Sequence, residues 1–89
     1  AFHGVSSFLR NGKRFYRTRI HVKGNYTVGV YPTETEAAIA YNKAVDLLKK
    51  AGVDKAYTPN YMEGMSPAAY ADMYTAIQIS PKIEHYLSE

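Results

Sequence analysis

Apolar and cationic side chains alternate along residues 14–23 of the chain. Successive side chains of a β-strand point to opposite faces of a sheet, so the alternation predicts a strand with two unlike faces. The first face would carry Tyr16, Thr18, Ile20 and Val22. The second face would carry Arg17, Arg19, His21 and Lys23. Such a strand is expected to be buried on one side and to meet a negatively charged partner on the other.

One further strand is predicted before this one and another after it. The first covers about residues 4–9, and a tight hairpin turn leads from it to the second, about residues 14–22, because Asn11-Gly12 supplies the positive backbone dihedrals that such a turn needs. The third covers about residues 26–31, and Pro32 ends it. The pattern therefore predicts a three-stranded antiparallel sheet.

The register of the second hairpin can be predicted from its apolar residues, since directly opposed residues share a face of the sheet. A three-residue connection, residues 23–25, sets Val22 opposite Tyr26, Ile20 opposite Val28, and Thr18 opposite Val30. The other face then has His21 opposite Thr27 and Arg19 opposite Gly29. Because glycine has no side chain, this register predicts a gap at Gly29 where a large partner could approach.

A long helix is predicted from residue 34 to residue 50. Thr33 and Glu36 suit a capping box, in which each side chain bonds the backbone amide of the other. Small buried residues would let the helix lie close to a thin sheet, and Lys49, Lys50 and Gly52 suit its end. The apolar stripe comprises Ala37, Ala40, Tyr41, Ala44, Val45 and Leu48, and the outward residues comprise Glu36, Lys43, Asp46 and Lys50.

Two Ser-Pro pairs predict further helices after an irregular stretch. Ser66 suits the N-cap and Pro67 the first position of a helix through about residue 79. One side of it would carry Ala69, Met73, Ala76 and Ile77, with Tyr70 and Tyr74 beside them. Ser80-Pro81 would begin a short helix through Leu87. The predicted fold class is α+β: a three-stranded antiparallel sheet packed on one long α-helix in residues 1–62, with a helical C-terminal extension, residues 63–89, packed on the same domain.

Length and composition indicate one small domain. The 89 residues are 46% hydrophobic and include nine tyrosines, which is enough for one core. No cysteine is present, which excludes disulfides and fits a reducing compartment, and no apolar run has membrane-spanning length. We therefore expect an intracellular protein without a membrane partner, in a nucleus or in a bacterial cytoplasm. The chain does not begin with methionine, so we expect a piece of a longer protein, tethered to another domain.

Positive charge is concentrated in the first third of the chain. Residues 1–33 carry a formal charge of +6 without any acid, whereas residues 34–89 carry −3. A basic segment confined to one region is the pattern expected of a nucleic-acid contact. A solvated cationic face that maintains solubility would have the same charge, so charge alone does not distinguish the two interpretations.

A block of the chain from Val28 to Asn42 reads Val-Gly-Val-Tyr-Pro-Thr-Glu-Thr-Glu-Ala-Ala-Ile-Ala-Tyr-Asn. Gly4-Val5 and Gly12-Lys13 precede it, and Asn60-Tyr61 follows it. Over residues 2–62, these motifs resemble the Apetala-two/ethylene-response-factor (AP2/ERF) DNA-binding domain. In that family a three-stranded antiparallel sheet packs on one helix and lies in the DNA major groove. The resemblance implies a non-enzymatic, sequence-specific double-stranded DNA-binding module, of the kind used in transcription regulation.

The resemblance also implies a contact face made by one side of all three strands. Arg17 and Arg19 suit guanine, since arginine can donate two hydrogen bonds to its O6 and N7 atoms. Carried over position by position, the face comprises His3, Ser6 and Phe8 on the first strand, Arg17, Arg19 and His21 on the second, and Asn25 and Thr27 on the third. The cations in or beside the predicted turns suit phosphates: Arg10, Lys13, Arg14 and Lys23.

The chain departs from plant members of the family at several of these positions. It has Ser6, Ser7 and Phe8 where they have arginines on the first strand, and it has no tryptophan. Asn25 and Thr27 replace an arginine and a tryptophan on the third strand. The plant sequence preference is therefore not transferred. The simpler charge pattern and the C-terminal extension are more similar to domains of this type joined to homing endonucleases or integrases in bacterial and phage mobile elements.

No set of residues indicates a catalytic centre. His3, His21 and His85 lack the spacing of metal ligands, and we expect neither a metal nor a cofactor. Three alternatives remain open: the arm-type DNA-binding domain of a tyrosine integrase, a protein-interaction domain that uses the tyrosine- and methionine-rich C-terminal helices, and an RNA-binding domain. RNA readers more often expose stacking aromatics on the sheet, and Phe8 is the only aromatic residue expected there.

Overall fold

Three strands precede two helices in the computed structural model, which describes residues 2–81. The strands form one antiparallel sheet in the order β1-β2-β3, so that the long strand is central. This arrangement confirms the predicted α+β fold class. The elements are β1 (Val5–Arg10), β2 (Lys13–His21), β3 (Asn25–Tyr31), α1 (Glu34–Lys50) and α2 (Pro67–Ala76).

The first hairpin turns within two residues, as its sequence predicts. Arg10 pairs with Lys13, which leaves Asn11 and Gly12 as the loop. Their φ angles are 52° and 78°. Both are in the left-handed region that a two-residue turn of the primed type requires, and asparagine and glycine are the residues that adopt it most readily. The turn fixes the register of β1 on β2.

The second hairpin has three loop residues, but its predicted register is wrong. His21 pairs with Asn25 and Ile20 with Tyr26, so the loop is residues 22–24. Between Thr18 and Arg19 the pairing shifts by one residue, which makes a β-bulge at Val28. From Gly29 to Tyr31, the bulge places each side chain of β3 on the opposite face of the sheet from the predicted one. Val28 is fully buried, whereas Val30, which was expected to face the core beside Thr18, is 42% exposed.

The predicted gap at Gly29 does not exist. Gly29 pairs with Thr18 rather than with Arg19, so it belongs to the face that α1 covers. The ring of Tyr31 fills the space that a side chain at position 29 would occupy. A Cβ atom added to Gly29 would touch the Tyr31 hydroxyl and would lie 2.7 Å from its Cζ atom. Tyr31 itself is 7% exposed and donates a hydrogen bond to the Gln78 carbonyl at 2.7 Å. Glycine is therefore required at position 29 by close packing within the fold.

The long helix α1 has the predicted bounds and lies directly on the sheet. The Thr33 side chain accepts a hydrogen bond from the Glu36 amide at 3.2 Å and donates one to the Glu36 carboxylate at 2.9 Å. Thr18, fully buried on β2, donates to the Ala37 carbonyl at 2.8 Å. Every residue of the predicted apolar stripe is buried, and so are Ala38, Ile39 and Asn42.

The last described residues cover α1 and the free edge of β3. α2 begins at the predicted Ser66 cap, but it ends at Ala76, three residues earlier than predicted, because Ile77 turns into the core in an extended conformation. Ser80 then donates a backbone hydrogen bond to the Val28 carbonyl at 2.7 Å. Of the short helix predicted to begin at Ser80-Pro81, residues 82–87 lie outside the described residues.

One surface prediction for α1 is wrong because of this covering segment. Lys43 was expected to face solvent, but its ammonium group donates to the carbonyls of Tyr74 (2.9 Å) and Ile77 (2.8 Å) at the end of α2. Lys43 thus caps the C-terminal end of α2.

Substitution of Gly29 tests the packing of Tyr31. We expect Gly29→Ala to lower the free energy of unfolding by about 1–3 kcal/mol, because the new methyl group must displace the Tyr31 ring. Gly24→Ala is the matched control, since nothing lies within 4 Å of a Cβ added there. Urea unfolding of both variants measures the difference. Equal stabilities for the two variants would contradict the packing described.

The tyrosine hydroxyl makes stability depend on alkaline pH. Burial, and to a lesser extent the Glu36 carboxylate, raises the pKa of Tyr31 to about 12. An unfolded tyrosine has a pKa of about 10, so between these two values the unfolded chain releases a proton that the folded chain keeps. The free energy of unfolding should therefore fall as pH rises through this window and should not change through this group below it.

Tyr31→Phe should reduce that alkaline loss of stability, measured by urea unfolding between pH 7 and the alkaline limit. Burial and the Asp46 carboxylate also raise the pKa of Tyr74 to about 12, so a part of the loss should persist. Tyr61→Phe, whose side chain is 81% exposed, is the control. If Tyr31→Phe and Tyr61→Phe have the same pH dependence, the assignment to Tyr31 is wrong.

Candidate nucleic-acid interface

The side of the sheet opposite α1, called here the outer face, collects side chains from all three strands. Thr18 and Ile20 are buried against α1, so the alternate residues of β2 lie on the other side, and directly opposed residues of β1 and β3 join them. The outer face comprises Ser6, Phe8, Arg10, Lys13, Phe15, Arg17, Arg19, His21, Asn25, Thr27 and Val30.

The structure brings together most of the contact face that the resemblance implies. Ser6 pairs with Arg17, Thr27 with Arg19, and Asn25 with His21, so these side chains form adjoining pairs on the outer face. Nδ1 of His21 lies 3.4 Å from Oδ1 of Asn25. The side chains of Arg19, His21, Asn25 and Thr27 are exposed.

His3 precedes β1 and is held there through its backbone. Its amide donates to Oδ1 of Asn60 at 2.7 Å, and its carbonyl accepts from Nδ2 of Asn60 at 3.1 Å. Asn60 in turn receives a hydrogen bond on its carbonyl from buried Asn42 of α1 at 2.8 Å. The His3 side chain is exposed, next to the sheet rather than in one of its strands.

An aromatic pair, Phe8 and Phe15, occupies the outer face between the two arginine-bearing ends of the first hairpin. Their ring centroids are 6.0 Å apart. The guanidinium of Arg17 lies 4.6 Å from the Phe8 centroid, and that of Arg10 lies 5.5 Å from it. Only Phe8 was expected on this face. Phe15 was missed, although the alternation of β2 places it two residues before Arg17 on the same side.

The cations assigned to turns are divided between the two sides of the sheet. Arg10 and Lys13 belong to the strands and lie on the outer face, and Lys23 is exposed in the second turn. Arg14 lies on the opposite side, where its guanidinium donates to the Ser7 hydroxyl at 3.0 Å. Arg14 is therefore not brought together with the other predicted site residues, because it is out of phase with Lys13 along the strand.

One further cation reaches the second turn from a distant part of the chain. The ammonium group of Lys55 lies 3.3 Å from the carbonyl oxygens of both His21 and Val22. The Tyr57 hydroxyl donates to the His21 carbonyl at 2.7 Å. No local pattern places Lys55 there, since it lies more than thirty residues along the chain from the turn. The second turn thus has a second exposed cation near it, in addition to Lys23.

The outer face carries positive charge, and none of its residues is acidic. Arg10, Lys13, Arg17 and Arg19 lie on it, and the first acid of the chain is Glu34, which begins α1. A surface with cations and no acids produces a positive potential that attracts polyanions and increases their rate of association. The chemistry that this arrangement supports is binding of a phosphate backbone with polar and apolar contacts between the cations.

The described residues, 2–81, contain no group of three or more side chains that could hold a metal ion. In the same residues no helix is long and apolar enough to cross a membrane. A cavity of about 490 Å³ lies between β3 and the end of α2, where it is lined mainly by apolar side chains, among them Val30, Met73 and Ile77.

Comparison of the chain with models of protein families, with curated proteins and with solved structures finds no match. The likeness to the AP2/ERF domain therefore depends on the sequence motifs alone.

Proposed function

We propose that this chain binds double-stranded DNA by placing the outer face of its sheet in the major groove. The observation that supports this most directly is that one face of the sheet has four cations and no acid among its residues. Three strands spaced about 4.8 Å apart are about 10 Å across. The major groove is about 12 Å wide and admits β-structure. The face therefore matches the groove in both width and charge.

Arg17 and Arg19 are the residues proposed to read bases. Both come from the central strand, which would lie deepest in the groove, and each can donate two hydrogen bonds to guanine. Phe8 supports the Arg17 guanidinium at 4.6 Å, so this side chain is held before DNA arrives and loses less conformational freedom on binding. Arg19 is exposed and pairs with Thr27 across the strands.

The cations at the two ends of β2 are proposed to bind phosphates. Arg10 and Lys13 lie at one end, and Lys23 and Lys55 lie at the other. The nine residues of β2 extend over about 27 Å, which separates the two groups by more than the width of the groove. Contacts at both ends would fix the orientation of the sheet without selecting a sequence.

The resemblance to AP2/ERF domains supports the same function and suggests its setting. We propose that the chain is the DNA-recognition module of an intracellular mobile-element protein, tethered to an endonuclease or integrase domain. The arm-type domain of a tyrosine integrase is one form of this proposal.

Single-stranded nucleic acid is a second candidate ligand, because Phe8 and Phe15 form an aromatic pair on a cationic sheet. Bases stack on such aromatic rings in many single-strand binding proteins. Phe8, however, already has Arg17 on one side and Arg10 on the other, since these residues pair on opposite sides of it along the strand. A base could stack on this ring only by displacing a guanidinium, which favours the duplex.

Salt dependence tests the proposed contact with duplex DNA. Four phosphate contacts should give a slope of about −3 to −4 in a plot of log K against log salt concentration. Fluorescence anisotropy with a random-sequence duplex measures the slope, and a single strand of the same length is the competitor. No binding at low salt, or stronger binding to the single strand, would overturn the proposal.

Replacement of single cations separates base contacts from phosphate contacts. On a duplex selected from random sequences, Arg17→Ala and Arg19→Ala should each weaken binding by about 5-fold to 100-fold and relax the preference at one position. Lys13→Ala should weaken binding to all duplexes alike and reduce the salt slope by about one. Lys50→Ala, at the end of α1, is the charge-matched control. Equal losses on every sequence for Arg19→Ala would remove Arg19 from base readout.

A further inference from the structure

Phe8 and Phe15 are placed where neither ring contributes to the core. The core of the described residues is formed by the other side of the sheet, α1 and Ile77, and neither phenylalanine belongs to it. Both rings are partly buried, on a face where their neighbours along the strands are Arg10, Lys13 and Arg17. The two rings pack on each other, and Phe8 also contacts the guanidiniums of Arg10 and Arg17. Because both rings are still only partly buried, they retain apolar surface that a ligand could cover.

The environment of Phe8 determines what kind of contact is left to it. Arg17 and Arg10 flank the ring along the strand direction, and Phe15 lies beside it across the strands. Stacking of a base on this ring is therefore opposed by the two guanidiniums, although the ring is only partly buried. The limited surface that remains suits a small apolar group that projects from the ligand.

The DNA major groove offers one such group. Thymine has a methyl group at C5, and it is the apolar group that distinguishes the major-groove edges of the four bases. Phenylalanine is among the side chains that contact it. We propose that Phe8 and Phe15 contact thymine methyl groups next to the guanine that Arg17 contacts. This inference rests on the proposed function, because it assumes that the outer face lies in the major groove.

The spacing of the two groups supports contacts with neighbouring base pairs. The Arg17 guanidinium is 4.6 Å from the Phe8 centroid. Successive bases along one strand are separated by about 3.4 Å. The distance between the two groups is thus close to the distance between successive base pairs, so that in one groove they would contact neighbouring base pairs. The outer face would then select a thymine adjacent to a guanine, and a pyrimidine with a 5-methyl group would be the chemical feature recognised.

Removal of single methyl groups from DNA tests the inference. The full chain is titrated with its selected duplex and with duplexes in which one thymidine at a time is replaced by deoxyuridine, which lacks only the methyl group. Beside the Arg17 guanine, this replacement should weaken binding about 3-fold to 5-fold, the effect of burying one such group. With a C·G pair at that position, methylation of the cytosine C5 should strengthen binding by a similar factor.

Protein variants locate the methyl contact. Phe8→Ala combined with Phe15→Ala should bind the thymidine and deoxyuridine duplexes equally, whereas Phe8→Leu should keep part of the discrimination. Leu9→Ala is the matched control, because Leu9 is 63% exposed and lies on the opposite side of β1. It should discriminate as the unchanged protein does. Far-ultraviolet circular dichroism and thermal unfolding confirm that each variant is folded before it is titrated.

The possible results separate this inference from the proposed function. Duplex binding with no effect of deoxyuridine at any position, or a selected site without thymine beside guanine, overturns the methyl contact and leaves duplex binding intact. A methyl effect that persists in the double alanine variant also overturns it, because another residue must then read the methyl group. Failure to bind any duplex at low salt overturns the proposed function and the inference together.

Discussion

The close packing of α1 on one side of the sheet is the constraint on which the rest of the structure depends. Ala37, Ala40 and Ala44 are fully buried, and the hydroxyl of Thr18 bonds the helix backbone through Ala37. A helix that lies this close leaves no room for long or charged side chains between the two layers. Arg17 and Arg19 alternate with the buried Thr18 and Ile20, so they must lie on the opposite side, together with Arg10 and Lys13. Arg14, near the end of the sheet, is the arginine of β2 that lies on the α1 side.

The chain beyond residue 62 completes this packing. Ile77 enters the core, Ser80 bonds the free edge of β3, and Lys43 of α1 binds the last carbonyls of α2. An unpaired edge strand is a site for unwanted pairing between chains, and this segment covers part of it. Tyr31 connects the two regions, because its ring fills the space beside Gly29 while its hydroxyl bonds Gln78. Stability of the sheet and attachment of the C-terminal segment are thus coupled.

The outer face combines two kinds of side chain that have different roles in the proposed function. Arg10, Lys13 and the cations at the second turn supply charge, which attracts DNA of any sequence. Arg17, supported by Phe8, supplies a directed group whose position is fixed by the aromatic pair. Although β1 has little charge, it contributes the polar Ser6 and the apolar Phe8 to the outer face, beside Arg17.

The sequence by itself determined the features that depend on neighbours along the chain. The alternation of β2, the Asn11-Gly12 turn and the bounds and cap of α1 are local, and so the faces holding Arg17 and Arg19 could be predicted, and Phe15 could have been. Only the tertiary structure revealed the bulge at Val28, which places Gly29 and Tyr31 on the α1 side, where the Tyr31 ring fills the space beside Gly29 and its hydroxyl bonds Gln78. It also decided the position of Lys55 beside the second turn. These features depend on volumes and hydrogen bonds between distant segments, which no pattern of adjacent residues encodes.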